Sequence, residues 1–212
     1  CLVIENYVGN NRLGALKAAS GSLMLATGNR IEGGEGVVVS DEGVCILMQN
    51  TFDEITGSAV SFMTGAKPIV AWNVMRNCNV GVAAEGGVGI CFENVITECA
   101  TGITARHYNR STIGGNAVTH CKLGCAILSK AKSVLTSNAF MHNDTAASCD
   151  GDTIAASFEQ NVVVHSQECG LRVHTGSAVF SQNLLIHNPT NVLVDGAGHG
   201  LARVANNVLL GG

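Results

Sequence analysis

Charge, aromatic side chains and proline are all scarce in this chain of 212 residues: 13% is charged, 4% is aromatic, and there are 2 Pro. Each scarcity excludes something. The 12 Lys and Arg form no run or stripe, so the clustered basic footprint of a nucleic-acid-binding protein is missing. No apolar stretch approaches the ~20 residues of a membrane-spanning helix, and no signal-peptide pattern opens the chain. The 9 Cys include no C-x-x-C pair and no Cys/His zinc signature, and "CKLGC" (121–125) has no matching second pair. Neither a metal nor another cofactor is expected.

What is present is small and apolar: 46% of residues are hydrophobic and 26 are Gly, far from the composition of a disordered chain. The length suffices for one large domain or two small ones. An odd number of Cys cannot all pair within one chain, and most stand where other segments carry Val, Ile or Ala. They read as buried thiols acting as small hydrophobes. Localisation stays open. A reducing intracellular compartment fits the thiols slightly better than secretion, while the sequons "NRS" (109–111) and "NDT" (143–145) keep secretion possible.

The main signal is a repeat. Asn6, Asn29, Asn50, Asn73, Asn94, Asn116, Asn138, Asn161, Asn183 and Asn207 follow one another at intervals of 21 to 24 residues. Two places after each stands an apolar residue, among them Ile31, Phe52, Ile96, Phe140 and Leu185. Three places before each stands another apolar residue or Cys, such as Leu47, Val70, Cys91 and Phe158. A near-constant period of this kind means a solenoid. Helical repeats need longer units and a 3.6-residue apolar period, and the L-x-x-L-x-L run of leucine-rich repeats is missing. Apolar residues in ones and twos, punctuated by Gly, Asn and Ser, predict strands and turns. The expected fold is all-β: a parallel β-helix of about ten coils of ~22 residues, one domain over residues 1–212. Asn tolerates the left-handed region at a sharp bend, and stacked every ~4.8 Å its amides would form a hydrogen-bonded ladder.

The segments "NVMRNCNVGV" (73–82) and "NVITECATGI" (94–103) resemble the right-handed parallel β-helix repeat of the pectate-lyase-like superfamily, over essentially the whole of Asn6 to Asn207. That resemblance implies the fold. For function it implies a range: polysaccharide lyases, hydrolases and epimerases, tailspikes, adhesins and substrate-recognition modules.

The chemistry expected of such enzymes is hard to find. The outward column after the repeat Gly reads Val38, Ser61, Ala83, Thr104, Ala126, Ser148, Arg172 and Leu193, with no cluster of acids for cleavage of a sugar bond. "GHG" (198–200) matches a short polygalacturonase motif, but its acids one coil earlier are missing, Asp150 and Asp152 lying two coils back. Glu32, Asp53 and Arg76 fall three places after the Asn on consecutive coils, as either a paired-carboxylate site or a solvated charge ladder. Glu85 and Arg106 read as a cross-strand ion pair. His120, His142, His165 and His187 occupy one column on four consecutive coils. They could bind a ligand or answer to pH, or form a polar turn ladder whose rings bond carbonyls; a linear row is poor metal geometry.

The unusual surface feature is apolar. Val162, Val164, Leu184, Ile186 and Leu210 point outward beside Ala139, Met141 and Val208, where a wet strand face should alternate. Such a face marks an interface, with a protein partner or a second copy of the chain. The sequence also begins part-way through a repeat and stops at Gly211–Gly212 with no polar cap, so a portion of a longer chain or assembly is expected. Two functions compete. One is a non-catalytic scaffold or recognition module; the other is a carbohydrate-active β-helix enzyme or tailspike-like depolymerase acting on a polysaccharide. Cys78, Cys99 and Cys121, five places after the Asn, are expected to stack as buried, reduced neighbours.

Overall fold

The computed structural model describes residues 1–151, 156–195 and 200–211. Among the described residues every element is a strand, and no helix is long and apolar enough to cross a membrane. The strands form three parallel sheets, as the period and punctuation predict. Sheet A runs from Leu2–Ile4 to Gly200–Ala205, sheet B from Tyr7–Asn11 to Val208–Leu210, and sheet C from Leu16–Ala18 to Val192–Val194. Sheets A and B hold 10 strands each and sheet C 9, so the chain is a right-handed parallel β-helix of nine full coils.

Each coil visits A, B and C in turn, and the repeat register is also the pairing register. Val70 pairs with Cys91 in sheet A, and Met75 with Ile96 in sheet B. Both columns face inward. Leu47, Val70, Phe52, Met75, Ile96 and Phe140 are all fully buried. Sheet C closes the core with pairs such as Val60 and Phe62, Ile103 and Ala105, and Leu171 and Val173. The glycine that opens most sheet C strands is required by close approach: a Cβ on Gly102 would lie 2.5 Å from both the Gly124 carbonyl oxygen and Val118 Cγ1.

The Asn ladder occupies the A–B corner, with Asn29 to Asn183 no more than 1% exposed. One expectation changes here. The left-handed residue is not the Asn but the one before it: Glu5, Gln49, Trp72, Glu93, Ser137, Gln160, Gln182 and Asn206 have φ between 53° and 57°. That residue turns the chain and points to solvent, so its identity is free. The Asn that follows directs its amide into the corner, where only a small donor–acceptor side chain can serve both adjacent coils. A second left-handed position sits four places after the Asn, at the B–C corner. It holds Asn77, Glu98, His120, His142, His165 and His187, at φ 53° to 55°.

Candidate functional site

Sheet C presents the outward column that the sequence predicted, in continuous register from Val38 through Ser61, Ala83, Thr104, Ala126, Ser148 and Arg172 to Leu193. The groove beside it is lined by Arg12, Lys17, Glu35, Ser58 and Glu85. Glu85 at its edge and Asp150 farther along the sheet both have partners. Arg106 binds Glu85, and Asp150 accepts from the Thr175 hydroxyl at 2.8 Å. Asp152, His199 and the motif around it lie outside the described residues.

Arg172, a lone charge in the sequence reading, has partners one coil on. Its Nη2 is 2.5 Å from Asp195 Oδ2, while His174 Nδ1 lies 3.2 Å from Asp195 Oδ1. The Arg172 hydrogen bond holds the Asp195 carboxyl below the usual carboxylate range. Counting one coil forward from Arg172 and His174 would have found Asp195; the irregular last coils hid that register.

Glu32, Asp53 and Arg76 do stack on sheet B, in register. Arg76 donates to Asp53 at 2.6 Å, Asn77 donates to the other Asp53 oxygen at 3.1 Å, and Arg30 binds Glu32. Tyr7 donates its hydroxyl to Glu32 at 2.9 Å. Asp53 is buried. The bond from Arg76 lowers the Asp53 pKa, and the bonds from Tyr7 and then Arg30 lower that of Glu32. Two carboxylates held ionised in this way are poor proton donors, because a general acid needs its pKa raised toward the working pH.

The four histidines form a stack at the B–C corner. Ring centroids lie 5.3 Å apart from His120 to His142, 5.2 Å from His142 to His165, and 5.2 Å from His165 to His187, with interplanar angles of 22°, 7° and 13°. Their backbone N–H groups donate to the next coil, for example His142 to Val164 O at 3.0 Å. The rings contact each other rather than a neighbouring carbonyl, and all four are exposed. Stacked rings keep their nitrogen lone pairs in separate, nearly parallel planes.

Beside this stack lies the apolar half of sheet B. Val162 pairs with Leu184 and Leu184 with Val208, while Val164 pairs with Ile186 and Ile186 with Leu210. Val162, Val164, Leu184 and Ile186 are half-buried by their neighbours along the stack, while Val208 and Leu210 are about half exposed, at 52% and 50%.

The thiols are free, and only Cys1 is exposed. Cys78, Cys99 and Cys121 each donate to the carbonyl two places before, at 3.2 to 3.4 Å. Contact with Cys99 and burial push the Cys78 and Cys121 thiols up. Both sequon asparagines, Asn109 and Asn143, are fully buried with their amides hydrogen-bonded, so neither has room for a glycan.

Against this geometry, a family model described as "Periplasmic copper-binding protein (NosD)" matches residues 1–162, about three quarters of the chain. No curated protein matches in sequence. Among solved structures, the crystal structure of the periplasmic alginate epimerase AlgG is similar, with a TM-score of 0.71 at 10% identity, covering 90% of this chain and 61% of that one. Its T265N mutant gives the same TM-score at 11% identity, covering 88% and 50%. A complex of XylC with xylose gives 0.53 at 12% identity, covering 80% and 38%. At these identities the likeness is one of fold, and the chain spans 61% of the epimerase's length.

Proposed function

This chain belongs to the NosD family, and from that premise we propose that it is a non-catalytic β-helical scaffold, one domain over residues 1–212, that docks a protein within a larger assembly. The observation that carries the reading is the outer face of sheet B, where Ala139, Met141, Val162, Val164, Leu184, Ile186, Val208 and Leu210 leave no polar position in the last coils. Covering each large aliphatic side chain gains about 1.5–3 kcal/mol at full burial, and less for those already half-buried. We assign His120, His142, His165 and His187 to the rim of the same contact, as donors for an anionic group on the partner. The paired state of Glu32, Asp53 and Arg76 favours a structural role over a catalytic one.

A second reading rests on the sheet C groove. Its mixture of Arg12, Lys17, Glu35 and Glu85 suits a polysaccharide, and the fold likeness to an alginate epimerase favours that class. The scaffold reading is preferred because no two free carboxylates converge in that groove among the described residues.

The family's description names copper and the periplasm. For the metal the donors do not fit: among the described residues no group of three or more His, Cys, Asp or Glu side chains could hold an ion, and the stacked histidine rings do not converge on one point. For the compartment, burial of all Cys but Cys1 shields them from an oxidising environment.

The test is Leu184→Asp with Ile186→Asp. The parent chain should self-associate in analytical ultracentrifugation or bind a hydrophobic dye, and the double variant should lose both with its circular dichroism unchanged. A parent chain that is monomeric and silent to the dye overturns the docking reading.

A further inference from the structure

The corner between sheets C and A is the one that does not border sheet B, and it carries features the docking reading leaves unused. In adjacent coils it is a four-residue turn closed by an i+3 hydrogen bond: Asn109 N to Arg106 O at 3.3 Å, then Ala131 N to Leu128 O at 3.2 Å. Both central residues have positive φ, Gly86 and Gly87 in one coil, His107 (56°) and Tyr108 (62°) in the next, then Ser129 (43°) and Lys130 (65°). Such turns favour Gly, Asn and Asp, and an aromatic residue is among the least suited to the left-handed region. Tyr108 is held there nonetheless, and it is 64% exposed, so no burial compensates for the strain. The same left-handed pair recurs at this corner as Asp41 and Glu42, and Trp72 holds a φ of 54° at another corner, so the coil sets the backbone; what Tyr108 adds is an exposed ring.

The surroundings indicate what that ring can meet. His107 and Tyr108 line two adjoining depressions of about 440 and 390 Å³. Lys67 and Arg110 line one, Lys130 lines the other, and among the described residues neither has an acidic side chain in its wall. Lys130 Nζ stands 5.6 Å from the centre of the Tyr108 ring. The frame beneath is rigid. Asn109, fully buried, donates to Gly86 O at 2.8 Å and accepts from Ser111 N at 2.9 Å and from the Ser133 hydroxyl at 2.8 Å.

We infer that this corner cleft binds an anionic oligosaccharide of the uronate type. One exposed ring offers its face to the C–H face of a pyranose, and Lys67, Arg110 and Lys130, from three different coils, are spread along the helix axis to meet carboxylates of successive sugars. The sequence shows no basic stripe because these cations are far apart in the chain; the coil period brings them to one corner. A single-stranded nucleic acid would need a succession of stacking rings along the groove, and among the described residues the cleft has only the neighbouring pair His107 and Tyr108 at one turn.

Titration calorimetry of the chain with a uronate hexasaccharide tests this, with a neutral glucan hexasaccharide and an oligothymidylate as comparisons. The uronate should bind, more weakly as salt rises, and the comparisons should not. Tyr108→Gly should weaken binding at least about tenfold while the melting temperature holds or rises, because glycine relieves the turn. Lys130→Ala with Arg110→Ala should weaken it as much. Absence of uronate binding at millimolar ligand, equal binding of the neutral glucan or the oligonucleotide, or variants that bind like the parent would each overturn the assignment.

Discussion

The Asn94 backbone N–H and its side-chain amide both donate to the same atom, Asn116 Oδ1, at 3.0 and 2.9 Å. That amide also donates to Val70 O at 2.9 Å and Phe92 O at 3.0 Å, with Asn94 only 1% exposed. The next rung repeats the arrangement, Asn73 donating twice to Asn94 Oδ1 at 3.0 Å. Each rung therefore satisfies corner groups of two neighbouring coils that water cannot reach.

Asn94→Ala should accordingly be among the most damaging single changes in the chain. Each buried polar group left without a partner costs about 1–3 kcal/mol, and this substitution strands several. A loss of at least about 3 kcal/mol in urea unfolding is expected. Asn207→Ala, at the half-exposed last rung, should cost less than half as much, because water replaces part of what is removed. Equal losses at the two positions would contradict the ladder as the source.

Arg76→Met tests the charge column. The Arg76 hydrogen bond holds the Asp53 carboxyl below the usual carboxylate range in the folded chain. A depressed folded pKa contributes stability that is present above the unfolded value and is lost as pH falls through the folded one. The parent should therefore be more stable than Arg76→Met at neutral pH, by about 1–3 kcal/mol for a buried carboxylate losing a charged donor. The gap should close as pH falls below about 4. Denaturation midpoints from pH 7 to pH 2 would show this, and a gap independent of pH would mean that Arg76 acts through packing alone.

The thiols should separate into one fast and many slow. Burial pushes Cys45, Cys91 and Cys149 up to about 12 and Cys169 to about 11, so almost no thiolate is available at neutral pH. In the folded chain a thiol reagent should modify Cys1 quickly and the others only on unfolding. Under denaturing, non-reducing conditions fewer than about seven free thiols would mean that some had paired.

The fold was legible because a solenoid writes its contacts at a fixed offset. Phe52 touches the coil of Met75 for the same reason that Met75 touches that of Ile96, so one period reveals every neighbour. The site was less legible because its groups lie at offsets that drift with loop length. His174 meets Asp195 in the irregular last coils, and Lys67 joins Tyr108 and Lys130 only where three coils turn the same corner. The left-handed bend residue was misplaced by one position, since sequence marks the buried Asn and leaves its solvent-facing predecessor variable.

The histidine stack joins two effects that one position can separate. His142 holds a φ of 55°, and its ring lies between those of His120 and His165. Ala there would keep the left-handed backbone at a cost of about 1–2 kcal/mol and also lose the stacking. Gly would remove the backbone cost but lose the rings' contact, worth about 0.5–1.5 kcal/mol for an aromatic pair and less at an exposed site. Asn tolerates the same backbone and occupies the column at Asn77. If the column serves only the turn, His142→Gly and His142→Asn should match or exceed the parent in thermal unfolding, and only His142→Ala should fall below it. If the stack itself stabilises the corner, all three should fall below the parent, with Ala lowest. The exposed position and the alternation of Gly, Asn, Glu and His along this column favour the first pattern. That outcome would free the imidazoles for the contact at the edge of the apolar face, and His142→Asn should then weaken docking without weakening the fold.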